Sequence, residues 1–160
     1  MHRIYAIEPL EALKMSIQSE KEMTEFYKKA QSLFYNDEAE STLKQMLNAC
    51  LQNRQKSISQ YSQVSGKRIL YLNLDRKHRL NSLMHCGKDS RESINTAKRN
   101  EKELVDFYMT LSRRFLDADL RAFFRSLGDE HQDHLHKLEK RFENPELFDE
   151  SAEKQNAEAA

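Results

Sequence analysis

The chain has little of what many folds turn on. Its 160 residues include 3 glycines and 2 prolines, too few for the repeated tight turns of a β-rich fold. The two cysteines, Cys50 and Cys86, lie far apart and form no C-x-x-C pair. A disulfide framework is therefore not expected, a four-cysteine iron or zinc module is excluded by count, and a reducing compartment fits. Charge of one sign is not in excess either. Lys plus Arg and Asp plus Glu stand at 26 each, which removes any global pull toward nucleic acid or an anionic membrane. No run approaches the roughly 20 apolar residues that cross a bilayer. The first nine residues, from Met1 to Pro9, contain no continuous apolar core of signal-peptide length. The expectation is a cytoplasmic protein with neither a membrane nor a nucleic-acid partner. A local basic cluster, Lys67-Arg68 and Arg76-Lys77-His78-Arg79, has no motif framing it and reads as a solvated face.

What the chain does have is charge interleaved with helical periodicity. Charged residues make up 32% and hydrophobic residues 38%, with a mean hydropathy of −0.88. That balance suits helices that each hide one stripe and show the rest to water. The length suits one domain large enough to bury a core. An internal repeat then sets the architecture. Ser19-Glu20-Lys21-Glu22-Met23-Thr24-Glu25-Phe26-Tyr27 returns 81 residues later as Asn100-Glu101-Lys102-Glu103-Leu104-Val105-Asp106-Phe107-Tyr108, and Phe34 and Phe115 continue the match. Solenoid repeats run at roughly 20–50 residues, so this longer period implies two similar helical hairpins rather than an array.

Four helices are expected. The first runs from about Pro9 to Phe34, with Leu10, Leu13, Ile17, Glu20, Thr24 and Tyr27 at 3-and-4 spacing. After Asn36-Asp37, the second runs from about Glu38 to Ser65 and stops at Gly66. Its apolar side is Leu43, Met46, Leu47, Cys50, Leu51, Ile58 and Tyr61. A crossover of about 66–90 carries the apolar stretch Ile69-Leu70-Tyr71-Leu72 and ends in a loop and helix cap at Cys86-Gly87-Lys88-Asp89-Ser90. The third helix runs from about Arg91 to Phe115 along Ile94, Ala97, Glu101, Leu104, Tyr108 and Leu111. The fourth runs from about Leu120 to Phe142, with Phe123, Phe124, Leu127, His131, His134, Leu135 and Leu138 inward. The bundle domain is thus 1–144, and 145–160 is a polar, flexible tail.

Few residues are placed to carry chemistry. Glu20 and Glu101 sit on apolar stripes at matching positions of the two halves. A buried carboxylate needs a cation, a hydrogen-bond donor or a metal. His131 and His134 are i and i+3 on the fourth helix, sharing the face of Leu127 and Leu138. Two imidazoles at that spacing can bind one metal ion.

The stretches Ile17 to Tyr27 and Ala97 to Tyr108, each with Glu-x-x-x-x-x-Phe-Tyr, resemble the first and third helices of rubrerythrin-type ferritin-like proteins. Leu127-Gly128-Asp129-Glu130-His131-Gln132-Asp133-His134-Leu135 resembles their metal-binding helix, so the likeness spans residues 8–142. It implies an all-α, ferritin-like four-helix bundle of two hairpins with a long crossover. It also implies a non-haem di-iron centre, built from one Glu on each of two helices and Glu-x-x-His on each of the others. Glu20 and Glu101 take the single-Glu positions and His134 a His position, while His131 stands where a bridging Glu belongs. Glu130, turned about 100° away, is a poor substitute.

The second helix departs further. Pairing Leu47 with Leu127 puts Leu51 and Arg54 at the ligand positions, and the 81-residue offset puts Cys50 and Asn53 there. Both registers stay open. In the first, Arg54 can neutralise Glu20 or Glu101. Glu20, Glu101, His131 and His134 can hold one Fe, Zn or Mn ion, whereas a complete di-iron centre is not expected. Two function classes follow. One is a metal-binding protein working in iron or peroxide handling, with oxidoreductase activity left open. The other is a metal-free bundle serving as a structural or interaction module. A homodimer is expected as the partner state, through the crossover and the bundle flanks.

Overall fold

Each helix begins where the sequence supplies a proline or a side-chain cap. The computed structural model describes residues 7–67, 80 and 82–148. Helix α1 spans Pro9–Gln31 and α2 spans Asp37–Ser65. Pro9 sits at the first helical turn of α1, where its missing N–H costs nothing. The Asn36 side chain accepts from the backbone N–H groups of Glu38 and Ala39 and opens α2. Gly66 closes α2 in the left-handed conformation, at φ +69°, which its lack of a Cβ permits. Helix α3 spans Ser90–Arg114 and α4 spans Ala118–Arg141. Asp89 caps α3 through Glu92 N–H, and Asp117 caps α4 through Leu120 N–H.

The helices pair as the repeat predicts. α1 packs along α2 and α3 along α4, and the two hairpins meet through α1 against α3 and α2 against α4. The result is a four-helix bundle with no strand among the described residues. Its core is one continuous cluster running from Leu13, Met23 and Leu43 to Leu104, Phe124 and Leu138. Tyr27 and Tyr108, the largest side chains with no exposure at all, lie at the middle of it. Gly128 brings α4 close to α3, since a Cβ there would lie 2.9 Å from Met109 Cε.

Three expectations need correction. α1 ends at Gln31 rather than Phe34, although Phe34 still turns back into the core. Leu51 is not inward: it is 45% exposed, because α2 is rotated to bury Cys50. The chain beyond Asn144 also does not leave the bundle at once. Pro145–Phe148 forms a 3-10 turn that buries Leu147 and sets Phe148 against Phe34 and Phe142, at ring-centroid distances of 5.9 and 5.8 Å. The remainder of the tail, the apolar stretch Ile69 to Leu72 and the basic residues 76–79 lie outside the described residues. No helix among the described residues is long and apolar enough to cross a membrane.

Candidate metal centre

All four helices send polar side chains to one buried level of the core. Glu20 comes from α1, Glu101 from α3, and His131 and His134 from α4, all at most a few per cent exposed. The α2 contribution settles the open register. Cys50 and Asn53 are wholly buried at this level. Arg54 is only half-buried and makes no ion pair with either glutamate, so the expectation that it neutralises one of them is not met. The 81-residue offset therefore holds throughout: Cys50 matches His131 and Asn53 matches His134, as Glu20 matches Glu101.

His131 is the hub. Its Nδ1 lies 2.5 Å from Glu101 Oε2 and its Nε2 lies 2.7 Å from Glu20 Oε1. One imidazole thus joins the two carboxylates, which come from different hairpins. Burial alone would lower the affinity of His131 for its second proton, but the charges and hydrogen bonds of Glu20 and Glu101 outweigh it and hold that proton well above the usual histidine range. Burial would likewise raise the Glu101 carboxyl, but the His131 charge and the neighbouring imidazoles pull it down to about 2. Protonated His131 stands between the glutamates as a cation.

Two tyrosines complete the arrangement, and they cross. Tyr27 of the first hairpin donates to Glu101 Oε1 of the second. Tyr108 of the second donates to Glu20 Oε1 of the first, at 2.9 Å. Burial first, and then the adjacent carboxylates, push both phenols up, so they stay neutral donors. Ser16 continues the network, 3.1 Å from the Tyr108 hydroxyl and 2.7 Å from Ser57 Oγ, and Ser57 donates to Asn53 O. Sequence reasoning placed both tyrosines on apolar stripes and missed this role. A phenol seven residues after each buried Glu was the available signal, but only the three-dimensional arrangement shows that each serves the opposite half.

Some buried atoms are left without partners. Glu20 Oε2, His134 Nδ1 and both amide atoms of Asn53 have no hydrogen bond. His134 Nδ1 lies 3.4 Å from Glu101 Oε1 but is not aimed along a hydrogen bond. Such orphaned polar atoms are costly in a core unless water or a ligand serves them. One ligand atom from each of Glu101, His131 and His134 lies within 4.8 Å of the other two, a spacing at which a single metal ion can be held. Three of the four expected ligands therefore cluster. Glu20 lies across the His131 ring from Glu101, outside that triad.

Comparison with known protein families and with curated proteins finds no match. Among solved structures, the chain is similar to a hypothetical protein from Pyrococcus furiosus, with a TM-score of 0.71 and 18% identity, covering 88% of this chain and 92% of that one. That likeness is one of fold.

Proposed function

We propose that the protein is a ferritin-like bundle of the rubrerythrin type that binds one transition-metal ion on Glu101, His131 and His134 and works in iron or peroxide handling. The observation that carries this is the buried triad with its unpaired His134 Nδ1. Two imidazoles and a carboxylate suit Fe, Zn or Mn better than Mg or Ca. An iron ion held there would supply one-electron chemistry toward oxygen or peroxide. The residues around it have defined tasks. Tyr27 holds the Glu101 carboxylate in place by donating to Oε1. Tyr108 stacks on the His131 ring and Phe124 on Tyr108, at ring-centroid distances of 5.5 and 6.4 Å, so buried aromatic rings shield the imidazole from water. His131 must give up a proton before one of its nitrogens can ligate, so metal and proton compete for it.

The test is elemental analysis of untagged protein purified without chelator, beside Glu101→Gln and His134→Ala. Near-stoichiometric metal in the parent, lost in both variants, is the expected result. Negligible metal in all three would overturn it. A melting temperature that drops on adding chelator to the parent alone provides a second check.

One observation favours the other reading, a metal-free bundle serving as a structural or interaction module. His131 already bridges both carboxylates with good geometry, so the core is held together without an ion. Under that reading the chelator leaves the melting temperature unchanged.

A further inference from the structure

The hairpins also differ outside the core, where α3 turns into α4. A cavity of about 260 Å³ lies there between Ser112 and Arg113 of α3 and Arg121, Ala122 and Arg125 of α4. The scaffold does not require three guanidiniums at this place. At the offset of 81 residues the first hairpin has Ser32, Glu40 and Lys44, and Gln31 Nε2 donates to Glu40 Oε1 at 3.4 Å. Its charges balance, with Glu40 and Lys44 at the favourable i,i+4 spacing. In the second hairpin Arg121 sits at the start of α4, close to the positive end of the helix, where a cation is disfavoured. Arg121 and Arg125 stand at i and i+4, and like charges at that spacing destabilise a helix. Arg113 adds a third cation from α3. Asp129 engages Arg125 through Nε at 3.4 Å, which leaves the two terminal nitrogens of that guanidinium to donate elsewhere. The side chains of Arg113 and Arg121 have no hydrogen-bond or ion-pair partner among the described residues. Ser112 Oγ donates to Met109 O, so the donors facing the cavity are the guanidiniums.

We propose that Arg113, Arg121 and Arg125 form a binding site for a small phosphate-bearing anion, a diphosphate group above all. Cations gathered against the α4 dipole and against their own repulsion are offset by an anion held among them. The planar guanidinium fork matches phosphate oxygens two at a time. A carboxylate brings one negative charge to three cations, whereas a phosphate monoester carries about −1.5 to −2 and a diphosphate more. The cavity falls below the roughly 300–1,000 Å³ of ordinary small-molecule pockets, so the group recognised is the phosphate itself, with any attached portion left in solvent. All three arginines are exposed on the bundle surface, and the site does not depend on metal binding in the core.

The test is isothermal titration of the chelator-stripped full-length protein with pyrophosphate at low ionic strength. The expected result is one bound equivalent, with an affinity that falls as salt is added. Arg113→Gln and Arg121→Gln should each weaken binding about tenfold. Lys44→Gln, at the position of the first hairpin that matches Arg125, should leave it unchanged. Without ligand, Arg121→Gln should melt no lower than the parent, since it relieves a like-charge pair, and it should lose the rise in melting temperature that pyrophosphate gives the parent. Repeating the titration with ADP separates the sources of the group. Tighter binding than pyrophosphate identifies an esterified diphosphate, binding no tighter identifies the inorganic ion, and either supports the site. No binding at millimolar pyrophosphate overturns the proposal. So does unchanged binding in Arg113→Gln and Arg121→Gln, or equal weakening in Lys44→Gln. Loss of binding in His134→Ala also overturns it, because the anion would then sit on an ion in the core.

Discussion

The two hairpins share a scaffold and differ in what they do with it. Both place a wholly buried glutamate on the opening helix and a tyrosine two turns later, and both start the second helix with a side-chain cap. At the two inward positions of that second helix they part. α4 presents His131 and His134, and α2 presents Cys50 and Asn53. The half with the imidazoles brings a cation to both carboxylates, and the other half brings none. One hairpin therefore supplies the single positive charge that the buried acids of both share. A symmetric backbone here carries an asymmetric charge distribution.

The largest expected effect breaks that asymmetry directly. His131→Leu leaves Glu20 and Glu101 buried without their cation and should cost about 3–5 kcal/mol in denaturant unfolding. Cys50→Ala at the matching position removes one uncharged group and should cost clearly less. Equal losses would mean that His131 acts by packing rather than by charge.

The same contrast should appear with pH. In metal-free protein, the His131 contribution is complete below 6.5 and is lost as pH rises through its raised folded value. The Glu101 contribution is complete above 4.5 and is lost as pH falls toward about 2. Melting temperatures in chelator should therefore peak between 4.5 and 6.5 and fall on the alkaline side. In His131→Leu the loss on the acid side should disappear, with stability rising as pH drops toward 4.5 and holding below it, because unpaired buried carboxylates prefer to be protonated.

Smaller effects test where the halves should behave alike. Tyr27→Phe and Tyr108→Phe each remove a hydrogen bond to a carboxylate and should cost about 1.5–3 kcal/mol apiece. Tyr108→Phe should be the costlier, since it also removes a contact with Ser16. The smallest should be the helix caps. Asn36→Ala and Asp117→Ala occupy matching positions and should lose about 1 kcal/mol each by thermal or urea denaturation.

Most of the scaffold was legible in the sequence. Helical periodicity, the Asn36 and Asp117 turns and Gly66 locate the four helices within a few residues, because each signal is local. Glu20, Glu101, His131 and His134 were also legible as inward residues, from their places on apolar stripes. The rotation of α2 was not. Leu51 looks like a core residue and Arg54 like a salt-bridge partner, and hydrophobicity alone cannot separate that register from the one that buries Cys50 and Asn53. The 81-residue period held the answer, yet an exposed leucine is common enough that it could not be read with certainty. The bridging by His131 and the crossing tyrosines were beyond reach for another reason. They depend on side chains 30 to 111 residues apart meeting in space.

The crossing of the tyrosines has a consequence for ancestry and assembly. Each hairpin carries a donor whose acceptor lies in the other, and an acceptor whose donor lies there too. A hairpin alone is incomplete, but two copies of the same hairpin would each supply what the other lacks. The molecule is built like a symmetric pair of identical pieces joined into one polypeptide. Within one polypeptide each piece can differ from the other, and Cys50 standing where the second half has His131 is such a difference.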